Sequence, residues 1–153
     1  MLCLFDACSH ILTFIVGHKK TFLSDALITV LAKSSEKPFE IGKADILTEG
    51  KDVTIIANGH LVWEALKAYN SLTKIGINAE VINFATIKPL DISTLLKSVE
   101  KTGRVVTAEE HQKNGGLGDS VAQALALHKP CPVEMVGVND SFGESGKPAQ
   151  LMK

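Results

Sequence analysis

Two glutamates and a histidine, Glu109, Glu110 and His111, follow directly behind the apolar run at positions 105–108. A run of this length is typical of a strand buried on both faces, so the three polar residues are predicted where that strand leaves the core and a polar loop begins. General acid–base catalysis needs titratable groups held near one reacting atom, which makes the triplet a candidate acid–base cluster. The alternative, which the sequence favours, is that these residues are polar because strand ends meet solvent.

Three glycines come next and precede a helical apolar period. Gly116, Gly118 and Val121 form the pattern GxGxxV, an incomplete dinucleotide-binding fingerprint. The pattern follows a late strand, and no acidic residue ends a strand about 20 residues further on, as the fingerprint requires. We therefore interpret Gly115, Gly116 and Gly118 as allowing a tight turn and close packing of the helix on the sheet. Free amides at 116–118 are a second candidate feature, because they would hold an anion.

A further histidine closes another predicted strand. Asn58, Gly59 and His60 follow Val53–Ala57, an uninterrupted run that predicts a central buried strand. His60 and His111 with one carboxylate would suffice for a metal site, but their separation in sequence makes this signal weak. The sequence contains no P-loop, GxSxG or HExxH motif, so none of the corresponding sites is predicted.

The rest of the apolar pattern predicts the helices and strands around these residues. Helical apolar periods begin after His60, after Asp91, which is a predicted N-cap, and after Gly116, while Gly76 and Gly103 close the first two. Strands that alternate with such helices predict an α/β fold, a three-layer α/β/α sandwich. The strands are predicted at 44–47, Val53–Ala57, Ala79–Asn83, 105–108 and Val133–Val138.

Composition excludes several function classes. With 153 residues, a net charge of −1 and 45% apolar residues, the chain lacks the basic excess of a nucleic-acid-binding surface. Cys3, Cys8 and Cys131 are odd in number and lack metal-ligand or CxxC spacing, so we expect a reduced, cytoplasmic compartment. The apolar run at 2–16 is shorter than a membrane span of about 20 residues and lacks the leading positive region of a signal peptide. We therefore expect no nucleic acid and no membrane as partners.

A polar stretch at 34–38 divides the chain. We expect residues 1–38 to be an N-terminal extension and linker, and residues 39–153 to form one domain. Pro148 has the position of a first helical residue, but the sequence stops at Lys153. The domain is therefore predicted to be truncated before its last helix.

Four motifs carry a family resemblance. They occupy positions 39–59 (FEIGKADILTEGKDVTIIANG), 82–91 (INFATIKPLD), 105–122 (VVTAEEH…GGLGDSVA) and 142–151 (FGESGKPAQL). In their order and spacing they resemble the C-terminal domain of transketolases, most closely the C-terminal subunit of the split type. The wider family includes deoxyxylulose-phosphate synthase and the β subunit of 2-oxoacid dehydrogenases.

The resemblance implies a mixed five-stranded sheet in the order 1-3-2-4-5, with strand 1 antiparallel. A short connection would by itself favour a hairpin between 44–47 and Val53–Ala57, and here we follow the family topology instead. That topology places strands 2 and 4 side by side, where an open sheet has its ligand crevice. The residues expected to line this crevice are Asn58, Gly59, His60, Glu109, Glu110, His111, Gly115, Gly116 and Gly118.

The resemblance also implies a function. Family enzymes transfer a two-carbon ketol unit between phosphosugars, a step of the pentose phosphate pathway, with thiamin diphosphate and a divalent metal such as Mg²⁺. The motifs that bind the cofactor and the sugar phosphate belong to two preceding domains and do not occur in this sequence. We therefore expect the chain to bind no cofactor and to be inactive alone. Its expected partners are N-terminal transketolase domains or a separate subunit, in a homo- or hetero-oligomer.

Two other functions stay open. The crevice would suit a regulatory module for a small anion or a nucleotide, and the domain would suit partner docking, as in the β subunits of 2-oxoacid dehydrogenases. For an anion, the attraction of the helix end and the repulsion from Glu109 and Glu110 nearly cancel, so we expect phosphate binding no tighter than millimolar. A neighbouring gene for thiamin-binding domains would favour the transketolase interpretation.

Overall fold

The computed structural model describes residues 39–143 and residue 145. The predictions for the extension and linker at 1–38 and for a helix starting at Pro148 lie outside the described residues. None of the described helices has the length and apolar character needed to cross a membrane. The described elements are β1 Asp45–Thr48, β2 Val53–Ala57, α1 Leu61–Lys74, β3 Ala79–Asn83, α2 Ile92–Thr102, β4 Val105–Gln112, α3 Leu117–His128 and β5 Val133–Val138.

The strands form one mixed sheet in the order β1-β3-β2-β4-β5. β1 runs antiparallel to β3, whereas the other neighbouring pairs are parallel. The strand order implied by the family resemblance is confirmed. The hairpin between β1 and β2, which the short connection alone would favour, is wrong. The amides of Lys51 and Asp52, which connect these two strands, donate to the carbonyl of Asn78 at 3.1 and 2.9 Å. A Cβ on Gly50 would lie 2.2 Å from the backbone carbon of Ala79. The connection therefore runs closely past the start of β3, and β3 separates β1 from β2.

Two apolar cores lie on the two faces of the sheet, because successive strand residues point to opposite sides. Ile55 belongs to the core that includes α1, and its neighbour Ile56 belongs to the core that includes α2 and α3. Every residue of β2 is buried, as expected for a central parallel strand that is covered on both faces. The predicted three-layer α/β/α sandwich is thereby confirmed.

A polar network crosses the interface between α2 and the sheet. The hydroxyl of Thr54 lies 2.6 Å from that of Ser98. On the neighbouring strand, the fully buried Glu80 accepts a hydrogen bond from Lys101, which also donates to Glu49 at 3.1 Å. Burial by itself would raise the pKa of Glu80, but the hydrogen bond from Lys101 and the Lys101 charge hold this pKa below its ordinary value. Glu80 is therefore ionised in the folded domain at neutral pH.

Helix α2 begins at a cap with several donors. The Asp91 carboxylate accepts hydrogen bonds from the Thr94 amide at 3.1 Å, the Thr94 hydroxyl at 2.8 Å and the Ser93 hydroxyl at 2.9 Å. It also accepts the Ala44 amide at 3.0 Å, which ties the helix to the segment before β1. Burial would raise the pKa of Asp91, but these donors lower it to about 2. The predicted N-cap is confirmed, as is the end of the helix at Gly103, which adopts a left-handed conformation at φ 68°.

The lowered pKa makes Asp91 a source of acid-sensitive stability. Because the folded value lies below the ordinary value of 3.8, the carboxylate stabilises the fold above about pH 4. This contribution, about 2 kcal/mol, should be lost as the pH falls from about 4 to about 2. Asp91→Asn should remove this part of the pH dependence, since an amide does not titrate. Urea unfolding over that pH range is the measurement, with the exposed Asp140→Asn as control, and an unchanged profile for Asp91→Asn would contradict this role.

Candidate functional site

The polar loop after β4 begins later than predicted. Residues 109–112 continue β4, so the boundary predicted at Glu109 is wrong. The pairing of β4 with β5 shifts register between Ala108 and Gln112, and Gln112 then pairs with Val138. Such an irregularity lets a strand continue while its side chains take new directions. The candidate acid–base cluster lies within this irregular stretch.

Glu109, the first member of the cluster, lies inside the domain with 4% of its surface exposed. Its Oε2 accepts a hydrogen bond from the amide of Leu117 at 2.7 Å, and its Oε1 accepts one from the amide of Gly118 at 2.8 Å. Both amides belong to the first turn of α3, where a helix leaves its amides unpaired and favours a negative charge. The prediction of free amides is therefore wrong at Leu117 and Gly118, because the chain's own carboxylate occupies both.

Two of the three glycines are explained by the turn and by packing. Gly115 adopts φ 79°, a conformation that favours glycine, and its amide donates to Asp119 at 3.1 Å. A Cβ on Gly118 would lie 2.9 Å from both Thr107 Oγ1 and Met135 Sδ. Close packing of the helix on the sheet is thereby confirmed at Gly118. Asp119 is not among the predicted site residues, although an acidic residue in the first turn of a helix is a signal for such a contact.

Glu110 meets His60 across the ends of β4 and β2. The Glu110 Oε2 and the His60 Nδ1 are 3.3 Å apart, and 49% and 65% of the respective side chains are exposed. The adjoining strand ends are linked by a hydrogen bond of 3.4 Å from the Asn58 amide to the Ala108 carbonyl, and Gly59 turns the chain at φ 53°. The structure thus brings together, at this pair, residues after β2 and β4 that were predicted to line the crevice. A pair this exposed contributes less than about 1 kcal/mol to stability.

His111 is separate from this pair. Its exposed ring has Nδ1 2.8 Å from the carbonyl oxygen of its neighbour Gln112. Over residues 39–143 and 145, no three histidine, cysteine, aspartate or glutamate side chains are grouped as metal ligands would be. The metal hypothesis for His60 and His111 therefore finds no ligand set in that part of the chain. The triplet is likewise divided, since Glu109 binds helix amides and Glu110 contacts His60.

A known protein family matches most of the sequence. The family model for the transketolase C-terminal domain matches residues 42–153. The chain belongs to this family. The mixed sheet with the order β1-β3-β2-β4-β5 is therefore that of a transketolase C-terminal domain.

Curated relatives carry the same domain. The 6-deoxy-6-sulfo-D-fructose transketolase subunit SqwH of Clostridium sp. (strain MSTE9) is 50% identical over 113 residues, which cover 74% of this chain and 35% of that protein. The putative transketolase C-terminal section of Methanocaldococcus jannaschii is 45% identical over 127 residues, covering 81% and 39%. The pyruvate dehydrogenase E1 component subunit beta of Bacillus subtilis (strain 168) is 49% identical over 110 residues, covering 69% and 34%. The matched region thus spans between 34% and 39% of the length of these relatives.

A solved structure shows the same fold. The chain described as split gene transketolase, inactive beta4 tetramer, superposes with a TM-score of 0.73 at 48% sequence identity. The match covers 78% of this chain and 39% of that chain. The transketolase C-terminal domain described above is thus of the kind found in transketolase-family and pyruvate dehydrogenase E1 β-type subunits.

Proposed function

We propose that this transketolase C-terminal domain is a structural and interaction module of a thiamin-diphosphate-dependent transketolase. Such an enzyme transfers a two-carbon ketol unit between phosphosugars. The observation that carries the proposal is the family match over residues 42–153. It is supported by identities of 50% to a 6-deoxy-6-sulfo-D-fructose transketolase subunit and 45% to a putative transketolase C-terminal section. The cofactor-binding part is supplied by N-terminal transketolase domains or by a separate subunit, in a homo- or hetero-oligomer.

Among the described residues, those at the carboxyl ends of β2 and β4 and at the start of α3 do not fit thiamin diphosphate and its divalent metal. A diphosphate needs amide or cationic donors, and the two amides at the start of α3 already bind Glu109. A divalent metal needs several oxygen ligands, but the nearby carboxylates have other partners: Asp119 accepts the Gly115 amide, and Glu110 lies against His60. We therefore assign no step of the reaction to a cofactor held by these residues.

The carboxyl edge of the sheet suits a contact with a partner subunit. Polar groups that become buried in an interface are costly unless each has a hydrogen-bond partner. At this edge three amides in and just after the turn before α3 have acceptors within the domain, because Asp119 accepts the Gly115 amide and Glu109 accepts those of Leu117 and Gly118. A partner can therefore cover the turn without having to supply acceptors for these amides.

The purified chain should not bind thiamin diphosphate with micromolar affinity, and alone it should show no ketol transfer. Titration calorimetry with thiamin diphosphate and Mg²⁺ measures the first property, and a phosphosugar transfer assay measures the second. Activity should appear when the chain is mixed with a transketolase protein that carries both preceding domains but lacks its own C-terminal domain. Saturable micromolar cofactor binding, or activity of the chain alone, would overturn the proposal, as would its failure to restore activity to that protein.

Docking within a 2-oxoacid dehydrogenase is a second candidate function, favoured by the 49% identity to the pyruvate dehydrogenase subunit of Bacillus subtilis. Size-exclusion chromatography with an α-type dehydrogenase subunit and, separately, with an N-terminal transketolase subunit discriminates between the two functions. Co-elution with the dehydrogenase subunit alone would support this second function.

A regulatory anion or nucleotide site in the crevice is less well supported. The Leu117 and Gly118 amides, its strongest candidate donors, already bind Glu109. His60 remains as a crevice donor, and it lies beside the Glu110 carboxylate. In this alternative we propose that phosphate binds no more tightly than millimolar.

A further inference from the structure

We propose that the Glu109 carboxylate is the anion bound at the N-terminus of α3, and that residue 116 is glycine because a side chain there would clash with this carboxylate. Glu109 is then a positioning residue, which holds the turn at 113–116 against the sheet and closes the helix start to outside anions. This inference concerns the domain itself and does not depend on the proposed transketolase function.

The geometry around the carboxylate is that of a built anion site. Each oxygen accepts one amide, that of Leu117 at 2.7 Å and that of Gly118 at 2.8 Å, and the residue is 4% exposed. Helix α3 has 12 residues, long enough for its N-terminus to favour an anion. Asp119 accepts the neighbouring Gly115 amide at 3.1 Å. Two carboxylates of the chain thus satisfy three amides of the turn and the first helical residues.

The position of the Glu109 carboxylate explains why residue 116 is glycine. Its backbone is extended, at φ −96° and ψ −155°, so backbone conformation does not require glycine. A Cβ would lie 2.2 Å from the Glu109 Oε2 and 2.7 Å from both its Cδ and its Oε1. The carboxylate could move away only by giving up two buried amide hydrogen bonds, which is costly. Gly115 is the opposite case: its φ of 79° favours glycine, and a Cβ there would meet no atom within 4 Å.

Removing the carboxylate should therefore have two effects. The amides of Leu117 and Gly118 would lose their anion, and amides at a helix start are a favourable site for phosphate. The space beside Gly116 would also become available to a side chain. The two effects can be measured independently.

A double-mutant cycle tests the steric effect. Gly116→Ala should clearly lower the urea midpoint of unfolding in the wild-type chain, and should lower it much less in a Glu109→Ala background. Glu109→Gln preserves the size of the side chain, so Gly116→Ala should remain costly in that background. Gly76→Ala is the control, since Gly76 has φ 81°, a Cβ there would meet no atom within 4 Å, and it lies outside the turn that Glu109 holds, so its cost should be equal in all three backgrounds. An equal loss from Gly116→Ala in the wild-type and Glu109→Ala backgrounds would overturn the proposal.

Titration with inorganic phosphate, followed by amide NMR of the full chain, tests the exclusion of anions. The Leu117 and Gly118 signals should not shift in the wild type at millimolar phosphate, and should shift saturably in Glu109→Ala. Glu110→Ala, which removes the adjacent exposed carboxylate, should behave as the wild type. Saturable shifts of these two amides in the wild type, or none in a folded Glu109→Ala, would overturn the proposal. Should Glu109→Ala not fold, Glu109→Gln tests the hydrogen bonds instead. Because one amide would then face the glutamine NH₂ group and lose its acceptor, that amide should exchange with solvent hydrogen faster than in the wild type, and unchanged exchange of both amides would overturn the proposal.

Discussion

Lys101→Met should lower the free energy of unfolding by about 3–5 kcal/mol at neutral pH, because it leaves a buried charge without its partner. Glu80 lies fully buried in β3, and Lys101 is the cation that donates to it. Since 43% of the Lys101 side chain is exposed to solvent, the loss should be near the lower end of that range. Urea unfolding measures it, and Lys97→Met on the same helix, at an exposed position, should change stability little.

The pH dependence of this variant identifies the cause. In the wild type the pKa of Glu80 is lowered, so its contribution to stability is present at neutral pH and is lost as the pH falls through the carboxylate range. Without Lys101, burial should raise the pKa of Glu80, and protonation should then relieve the buried charge. The deficit of Lys101→Met should therefore shrink on acidification, and adding Glu80→Gln should recover part of it at neutral pH. A deficit that is independent of pH would show that lost packing, and not an unpaired charge, is responsible.

Leu95→Ala should cost about 2–5 kcal/mol, because it removes a large side chain from a core that closes around it. Leu95 is fully buried in α2, in the core that also contains Ile82, Val99 and Leu125. Leu127→Ala in α3 is the control, since 81% of Leu127 is exposed and its loss should be nearly neutral. Thermal and urea unfolding of both variants measure the difference, and a similar stability for the two would contradict the assignment of Leu95 to the core.

Several element boundaries follow from local pattern alone. β2, β3 and β5 have the bounds that were predicted, because each is a compact apolar or alternating run between residues that favour turns. The N-cap at Asp91 and the left-handed end of α2 at Gly103 were also predictable, since each depends on one residue and its near neighbours. Interactions between residues close in the sequence are therefore sufficient to predict these strand bounds and helix ends.

The pairing of the strands depends on contacts between residues that are distant in the sequence. A short connection favours a hairpin between β1 and β2, yet hydrogen bonds from Lys51 and Asp52 to Asn78 hold that connection against the start of β3. The family motifs led to the correct order because they reflect the whole fold. The residue pattern around β1 does not by itself indicate this strand order.

The residue pattern alone predicted that acidic residues, two histidines and glycines follow β2 and the apolar run of β4. Their separate contacts depend on the folded chain: Glu109 binds amides at the start of α3, Glu110 contacts His60, and His111 lies beside its own backbone neighbour. These contacts differ because the register of β4 against β5 shifts, which keeps the chain in the sheet beyond the apolar run. That shift depends on a strand that follows later in the chain, so no local rule predicts it.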